Sequence, residues 1–386
     1  MNRFTFVIVI LLVFSVCAEQ LPNPQMPVST VEERIQQIEN GRYTSDGKSI
    51  AKRMLARKIS GLSIAVINNG EIEWARGYGV VESRSTQLVN TSIIFQAASI
   101  SKPLTALAAI RMVQNGMLAL DEDVNQKLVT WKVPENKYTV KEKVTLRRLL
   151  SHNAGTTVHG FRGYSAGEPV PNLLQVLQGA SPANSAPVTV KAVPGKEFRY
   201  SGGGISIVQQ LIVDVTGVPF PDFMRKTVLE PLNMKDSTFA QPLPIERFAN
   251  AAVAHKKNGK PIAGKWHTYP EIAAAGLWTT PSDLARMIIE IQRSLHGESD
   301  RIISALMTKE MLSNQSARSR NWGLGFELGG QGKDAWFQHV GLNEGFTATF
   351  IGFNELGQGA VIMTNSDQCE DLRDIIKSIA RVYQWP

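Results

Sequence analysis

Ser99 and Lys102 stand three residues apart at the head of an amphipathic run, residues 103–114. On a helix that spacing puts both side chains on one face, so the Lys102 amine can reach the Ser99 hydroxyl. A serine is inert at neutral pH until a neighbouring base takes its proton and makes it a nucleophile for acyl transfer. A helix N-terminus adds unpaired backbone N–H groups and the positive end of a dipole, both favourable to an oxyanion. Ser-x-x-Lys also arises by chance, and serine before a helix is an ordinary N-cap. Other residues must therefore complete the chemistry.

Two further stretches offer them. Arg199-Tyr200-Ser-Gly-Gly-Gly204 breaks a loop and opens a helix expected over residues 205–215. Its glycines let a ligand or backbone approach closely, and Tyr200 can present its phenol to a cleft. For base work that phenol must fall below its ordinary value of about 10, with Lys102 beside it; a buried packing tyrosine is the plain alternative. Gln338-His339-Val340-Gly341 is expected to end a strand, and Leu342-Asn-Glu-Gly345 to turn into the next. Gly341 leaves room for a substrate to lie along the strand edge. The Leu342 N–H can pair with that of Ser99 as an oxyanion hole, and His339 can donate to a substrate carboxylate or help move the phenolic proton.

The elements that must position these residues are legible as patterns. Residues 61–70 and 71–79 form a hairpin through Asn-Asn-Gly, a strong turn signal. Residues 31–38 and 50–57 read as helices before it. The middle, about 121–270, alternates helical segments with Pro- and Gly-rich loops, and no internal repeat is present. Strand patterns return at 322–328, 335–340, 346–353 and 359–364, and a helix at 372–383 closes the chain. Strands at both ends around a helical middle predict an α/β sandwich: one antiparallel sheet flanked by helices, built by both termini, with a helical lobe inserted. The expected division is a sheet lobe from about 31–98 and 275–386 and a helical lobe from about 99–274, with the site in the cleft between them.

Composition narrows the class. The chain has 386 residues, 43% of them hydrophobic, enough for a large core. Residues 1–18 carry Arg3, an apolar run and a small residue at Ala18, the parts of a secretory leader; a secreted or periplasmic protein is expected. Cleavage after Ala18 removes Cys17 and leaves Cys369 alone, so no intramolecular disulfide forms. No other segment reads as a membrane span. The net charge is +7, but Arg147-Arg148 and His255-Lys256-Lys257 are short clusters that read as solvated surface, not a nucleic-acid patch. His159, His255, His267 and His296 lack metal-ligand spacing, and Gly323 and Gly325 form no phosphate loop. His152 reads as a hydrogen-bonding strut. Nothing in the pattern assigns an oligomeric state.

Taken together, Ser99-Ile-Ser-Lys102, Tyr200-Ser-Gly202 and His339-Val-Gly341 resemble the serine β-lactamase and penicillin-binding-protein superfamily. The likeness is closest to its class C branch, with D-alanyl-D-alanine carboxypeptidases, D-aminopeptidases and esterases, and runs from about Ile50 to the C-terminus. Leu149-Leu-Ser-His-Asn-Ala-Gly155 and residues 274–284 look like structural loops of that family. The resemblance implies Ser99, Lys102 and Tyr200 as catalytic residues, with Gly202, His339, Gly341 and Leu342 in substrate binding and the oxyanion hole, and neither cofactor nor metal. Gly202 stands where the family has Asn, and His339 where class C β-lactamases have Lys. Both departures point away from lactams, toward a peptide of D-amino-acid type, cell-wall fragments included, or an ester. A class C β-lactamase and a non-hydrolytic penicillin-binding or scaffold homologue are the alternatives.

Overall fold

The computed structural model describes residues 29–315, 321–355, 357–367 and 370–386. The expected leader with Cys17, and Cys369, lie outside them. Eight strands are present among the described residues: β1 (Gly61–Asn68), β2 (Glu71–Gly79), β3 (Phe95–Gln96), β4 (Trp278–Thr279), β5 (Glu327–Gly329), β6 (Trp336–Asn343), β7 (Phe346–Phe353) and β8 (Gly359–Thr364). The helices are α1 (Val31–Glu39), α2 (Ile50–Arg57), α3 (Ser101–Gln114), α4 (Leu146–Leu150), α5 (Leu173–Gln178) and α6 (Gly202–Thr216). They continue with α7 (Phe220–Met224), α8 (Ile272–Ala275), α9 (Pro281–Leu295), α10 (Ala305–Met311) and α11 (Glu370–Val382).

Six strands make one antiparallel sheet in the order β2-β1-β8-β7-β6-β5. Both ends of the chain build it, since β1 pairs with β8 from Leu62↔Thr364 to Ile67↔Gly359. The hairpin turns at Asn69 and Gly70, both with positive φ, the backbone that a tight two-residue turn demands. Alternation along β1 then fills two layers. Leu62, Ile64 and Val66 join Ile35, Ile50, Ile375 and Ile379 in a cluster under α1, α2 and α11. Ala65 and Ile67 face the opposite way, into the main core with Leu284 and Ile288 of α9. Buried on both faces, β1 reads as a nearly continuous apolar run.

The structure departs from the sequence pattern in four places near the site. Helix α3 is not amphipathic: Ser101 through Ile110 and Met112 are all buried, because it runs through the centre of the molecule. Helix α6 begins at Gly202, three residues early. A Cβ on Gly203 would lie 2.7 Å from the Thr157 carbonyl oxygen and one on Gly204 2.8 Å from Thr156 Oγ1; the glycines let this helix end press against that loop. Of the strand expected over 322–328 only Glu327 and Leu328 are strand, within Glu327–Gly329, because Gly325, at φ +91, turns the backbone where it meets Ala106. Finally, β6 runs on to Asn343, so His339-Val340-Gly341 lies inside a strand rather than at its end.

That last difference shapes the site. Strand β5 pairs only with Trp336–Gln338 of β6, so beyond Gln338 one edge of β6 has no strand partner among the described residues. The short β3–β4 ladder, Phe95↔Thr279 and Gln96↔Trp278, was beyond the reach of periodicity at two residues per strand. It leads the chain directly into the segment that carries Ser99.

Candidate active site

Ser99 sits in a 3₁₀ turn, Ala98–Ile100, at the head of α3. Ala98 before it has φ +51, a left-handed conformation that costs a non-glycine residue roughly 1 kcal/mol. Its neighbours hold it there. Ser101 Oγ donates to the Ala98 carbonyl at 2.7 Å and accepts from Leu277 N–H at 3.0 Å, while Ala97 N–H donates to the Leu277 carbonyl at 2.9 Å. Ser99 is left half-buried.

Lys102 is 2% exposed. Its Nζ lies 2.9 Å from Ser99 Oγ and donates to the Ala274 carbonyl at 2.8 Å. Burial, with no carboxylate to offset it, pushes the ammonium down to about 7, since a low-dielectric site disfavours the charged form. Near neutral pH the amine therefore keeps a hydrogen for Ala274 and offers a lone pair to the Ser99 hydroxyl. The residues on either side of that carbonyl are anchored: Thr105 Oγ1 donates to the Ala273 carbonyl, Ala273 N–H to Gln209 Oε1, and Asn343 Nδ2 to the Ala275 carbonyl.

Tyr200 is half-buried one residue before the Ser201 cap of α6. Lys102 Nζ stands 5.1 Å from its ring centroid. Around the same ring lie His152 at 4.2 Å, His159 at 4.9 Å, Trp322 at 5.9 Å and His339 at 6.3 Å. His152 Nδ1 accepts from Ser201 N–H at 3.3 Å, which ties the strut foreseen in the sequence to the tyrosine segment.

The surroundings of His339 bear on the two roles expected for it. It is 3% exposed and held neutral, pushed down to about 3 by burial and then by the Lys102 charge. Its Nδ1 lies 2.9 Å from the Val340 carbonyl and must donate to it, so Nε2 presents a lone pair. A cationic anchor for a substrate carboxylate is therefore a poor description of this ring. As an acceptor it is suited to the other role, facing a phenolic or substrate proton.

Gly341 brings β6 against the nucleophile. A Cβ there would stand 2.1 Å from the Ala97 carbonyl oxygen and 3.2 Å from the Ala98 methyl, so only glycine permits this approach. Leu342 follows on the same strand, 56% exposed. Gly202 is also confined: a Cβ would meet Phe161 Cε2 at 2.9 Å and the His159 carbonyl oxygen at 3.2 Å. An Asn side chain in its place would have to displace the Phe161 ring. Thus the structure gathers Ser99, Lys102, Tyr200, His339 and Gly341 into one cluster, with Gly202 two residues along the chain from Tyr200. A separate cleft of about 300 Å³, lined by residues such as Leu173, Gln209, Phe220 and Ile272, includes none of them. The reactive groups, rather than the size of that cleft, mark the site.

Sequence reasoning missed one contributor to the site, Trp322, and one buried acid, Glu271. Trp322 packs on Tyr200 and His339 from the loop expected as strand. Glu271, just before α8, is fully buried, with no partner for either carboxyl oxygen among the described residues. Burial raises its carboxyl to about 7 from 4.5. A glutamate between Pro270 and Ile272 carries no sequence signal of burial. Between those two values Glu271 keeps a proton in the native state that it has lost in the unfolded chain, so its own contribution to stability falls as pH rises through that window. Glu271→Gln should remove the effect and stabilise the protein by about 3 kcal/mol above pH 8, with little change at pH 4. Thermal unfolding from pH 4 to 8 checks this, and parallel curves for the two proteins would refute it.

No group of three or more His, Cys, Asp or Glu residues among the described residues is placed to hold a metal. No single described helix is long and apolar enough to cross a membrane.

A family model described as Beta-lactamase matches residues 47–384. Protein flp of Staphylococcus aureus (strain N315) is 26% identical over 225 residues, 58% of this chain and 42% of that protein. Esterase EstB of Burkholderia gladioli is 28% identical over 224 residues, 54% of this chain and 56% of the esterase. The chain thus spans about half the length of these curated relatives. A solved structure of D-amino acid amidase from Ochrobactrum anthropi SV3, complexed with L-phenylalanine amide, aligns with a TM-score of 0.70 at 20% identity. It covers 92% of this chain and 98% of that one, and the likeness is one of fold.

Proposed function

The chain belongs to the Beta-lactamase family, and on that footing we propose that it is a serine hydrolase that forms an acyl-enzyme on Ser99. The observation that carries this reading is the 2.9 Å contact between Ser99 Oγ and a Lys102 amine whose burial brings it down to about 7. Ser99 attacks a carbonyl carbon and gives its proton to Lys102 Nζ. The N–H groups of Ser99 and Leu342 receive the oxyanion on the open edge of β6. Lys102 and Tyr200 pass the proton to the leaving group, and Tyr200 then draws a proton from the water that cleaves the acyl-enzyme.

The substrate we propose is an ester or a peptide of D-amino-acid type rather than a lactam. A neutral His339 and a crowded Gly202 support that choice, and export through the 1–18 leader fits a cell-wall-derived peptide. Turnover of a p-nitrophenyl short-chain ester, a D-amino-acid anilide and benzylpenicillin, compared side by side, tests it. Steady hydrolysis of one of the first two is expected. Rapid hydrolysis of benzylpenicillin would make the protein a class C β-lactamase, and one burst without turnover a non-hydrolytic homologue.

The pH profile follows from the same base. Only the neutral amine accepts the Ser99 proton, so kcat/KM for the ester should rise through about pH 7 and level off above it. Stopped-flow acylation between pH 5 and 9 reads this limb; a rate independent of pH across that range would remove Lys102 as the base.

A further inference from the structure

The cleft of about 300 Å³ that stands apart from Ser99 has Leu173, Val213, Phe220 and Ile272 on its walls. No residue that lines it is charged. Glu271 is flanked by two lining residues, Pro270 and Ile272, but does not line the cleft itself. Two adjacent side chains of α6, Gln209 and Gln210, do line it, although they are only 4% and 5% exposed. Buried amides are normally paired at both ends, and these two are not.

Their protein partners fix which way each amide points. Gln209 Oε1 accepts from the Ala273 N–H at 2.9 Å, so the other end of that side chain is its NH2 group, and no described residue accepts from it. Gln210 Nε2 donates to Thr130 Oγ1 at 2.7 Å and to Asp214 Oδ1 at 2.9 Å, which leaves Oε1 without a donor among the described residues. Neither atom is sealed inside the protein, and the open space beside both residues is the cleft. The third glutamine of the lining, Gln241, is already committed at both ends, to the Gly276 carbonyl and the Tyr269 N–H.

An open donor beside an open acceptor, in a recess with apolar walls, is the complement of an amide: a carbonyl for Gln209 and an N–H for Gln210. A charged ligand would give up its hydration with no opposite charge to meet it, and a hydrocarbon would leave both glutamines unpaired. We propose that this cleft is a second binding site, for a small neutral amide with an apolar body, separate from the cluster around Ser99. Through Gln209 and Ala273 its occupant bears on α8, which carries the Ala274 carbonyl that holds Lys102.

The probe is N-methylbenzamide, titrated into ¹⁵N-labelled protein while the side-chain amide signal of Gln209 is followed by NMR, with Gln209→Glu to identify that signal. A saturating shift with a Kd on the order of 1 mM is expected for a ligand of this size. Methyl benzoate keeps the carbonyl but lacks the N–H and should bind about five- to tenfold more weakly, with propylbenzene and benzoate weaker still. Val213→Phe and Leu173→Trp each fill the cleft and should abolish the shift; if neither variant folds, the ligand series decides. Ester turnover should keep its KM in saturating N-methylbenzamide. The absence of a saturating shift would mean that water alone fills the cleft and overturns the proposal, as would equal affinities across the four ligands. A rise in KM with kcat unchanged would place the amide in the Ser99 site and overturn it as well. Lack of ester turnover in the unmodified protein would sink the hydrolase reading alone, because the Gln209 titration needs no activity.

Discussion

Ser99→Ala should abolish ester hydrolysis and covalent labelling by a fluorophosphonate together. The expectation is strong because the nearby hydroxyls are already committed. Ser101 Oγ is fully buried between the Ala98 carbonyl and Leu277 N–H. Ser201 Oγ donates to the Thr157 carbonyl and accepts from Gly204 N–H as the cap of α6. Neither can turn toward a substrate without unmaking the turn or the helix end. Removing one half-buried hydroxyl leaves the core intact, so the variant should fold and bind substrate. Intact-mass analysis should find one adduct on the parent protein and none on the variant. A persistent adduct on a different serine would overturn Ser99 as the nucleophile.

Lys102→Ala and Tyr200→Phe should each lower ester turnover by about 100-fold or more, the scale of a lost acid–base group. Lys102 Nζ lies against both Ser99 Oγ and the Tyr200 ring, so the two side chains can hand on one proton. If they act as a single relay, the double variant should be little worse than either single one, since parts of one unit are not additive. Losses that multiply would mean separate roles. Lys102→Ala also empties a buried position beneath the turn, so its fold should be checked by near-UV circular dichroism before its rate is read. Tyr200→Phe keeps the ring and isolates the hydroxyl.

What could be seen in the sequence was local. The three-residue spacing of Ser99 and Lys102 is a property of one helical turn, and the 2.9 Å contact follows from it. The β1–β2 hairpin, the strands 346–353 and 359–364 and the closing helix were legible because period and turn residues suffice to specify them. What stayed hidden depends on packing between distant segments. Gly325 turns the chain because Ala106 is behind it, and one edge of β6 lacks a strand partner among the described residues because β5 is three residues long. The neutrality of His339 follows from burial and from the Lys102 charge, and its tautomer from a carbonyl on its own strand. Motif spacing could name the histidine but not its tautomer. Glu271 was invisible for the same reason: its burial is decided by the fold around α8, and glutamate ordinarily faces water.

The pairing of β1 with β8 has a consequence for how the molecule comes into being. Gly61 accepts a hydrogen bond from Thr364 Oγ1, a contact between residues 303 apart in the chain. On a ribosome or a translocation pore, the hairpin of β1 and β2 emerges early and has no neighbour until β8 has been made. Its apolar inner face must wait exposed through the synthesis of the whole helical middle, a long interval at about 5–20 residues per second. Such non-local closure is slow and open to aggregation. The protein should therefore depend on a holding chaperone during synthesis, and a chain truncated before residue 359 should be insoluble although every residue that surrounds Ser99 is already present in it.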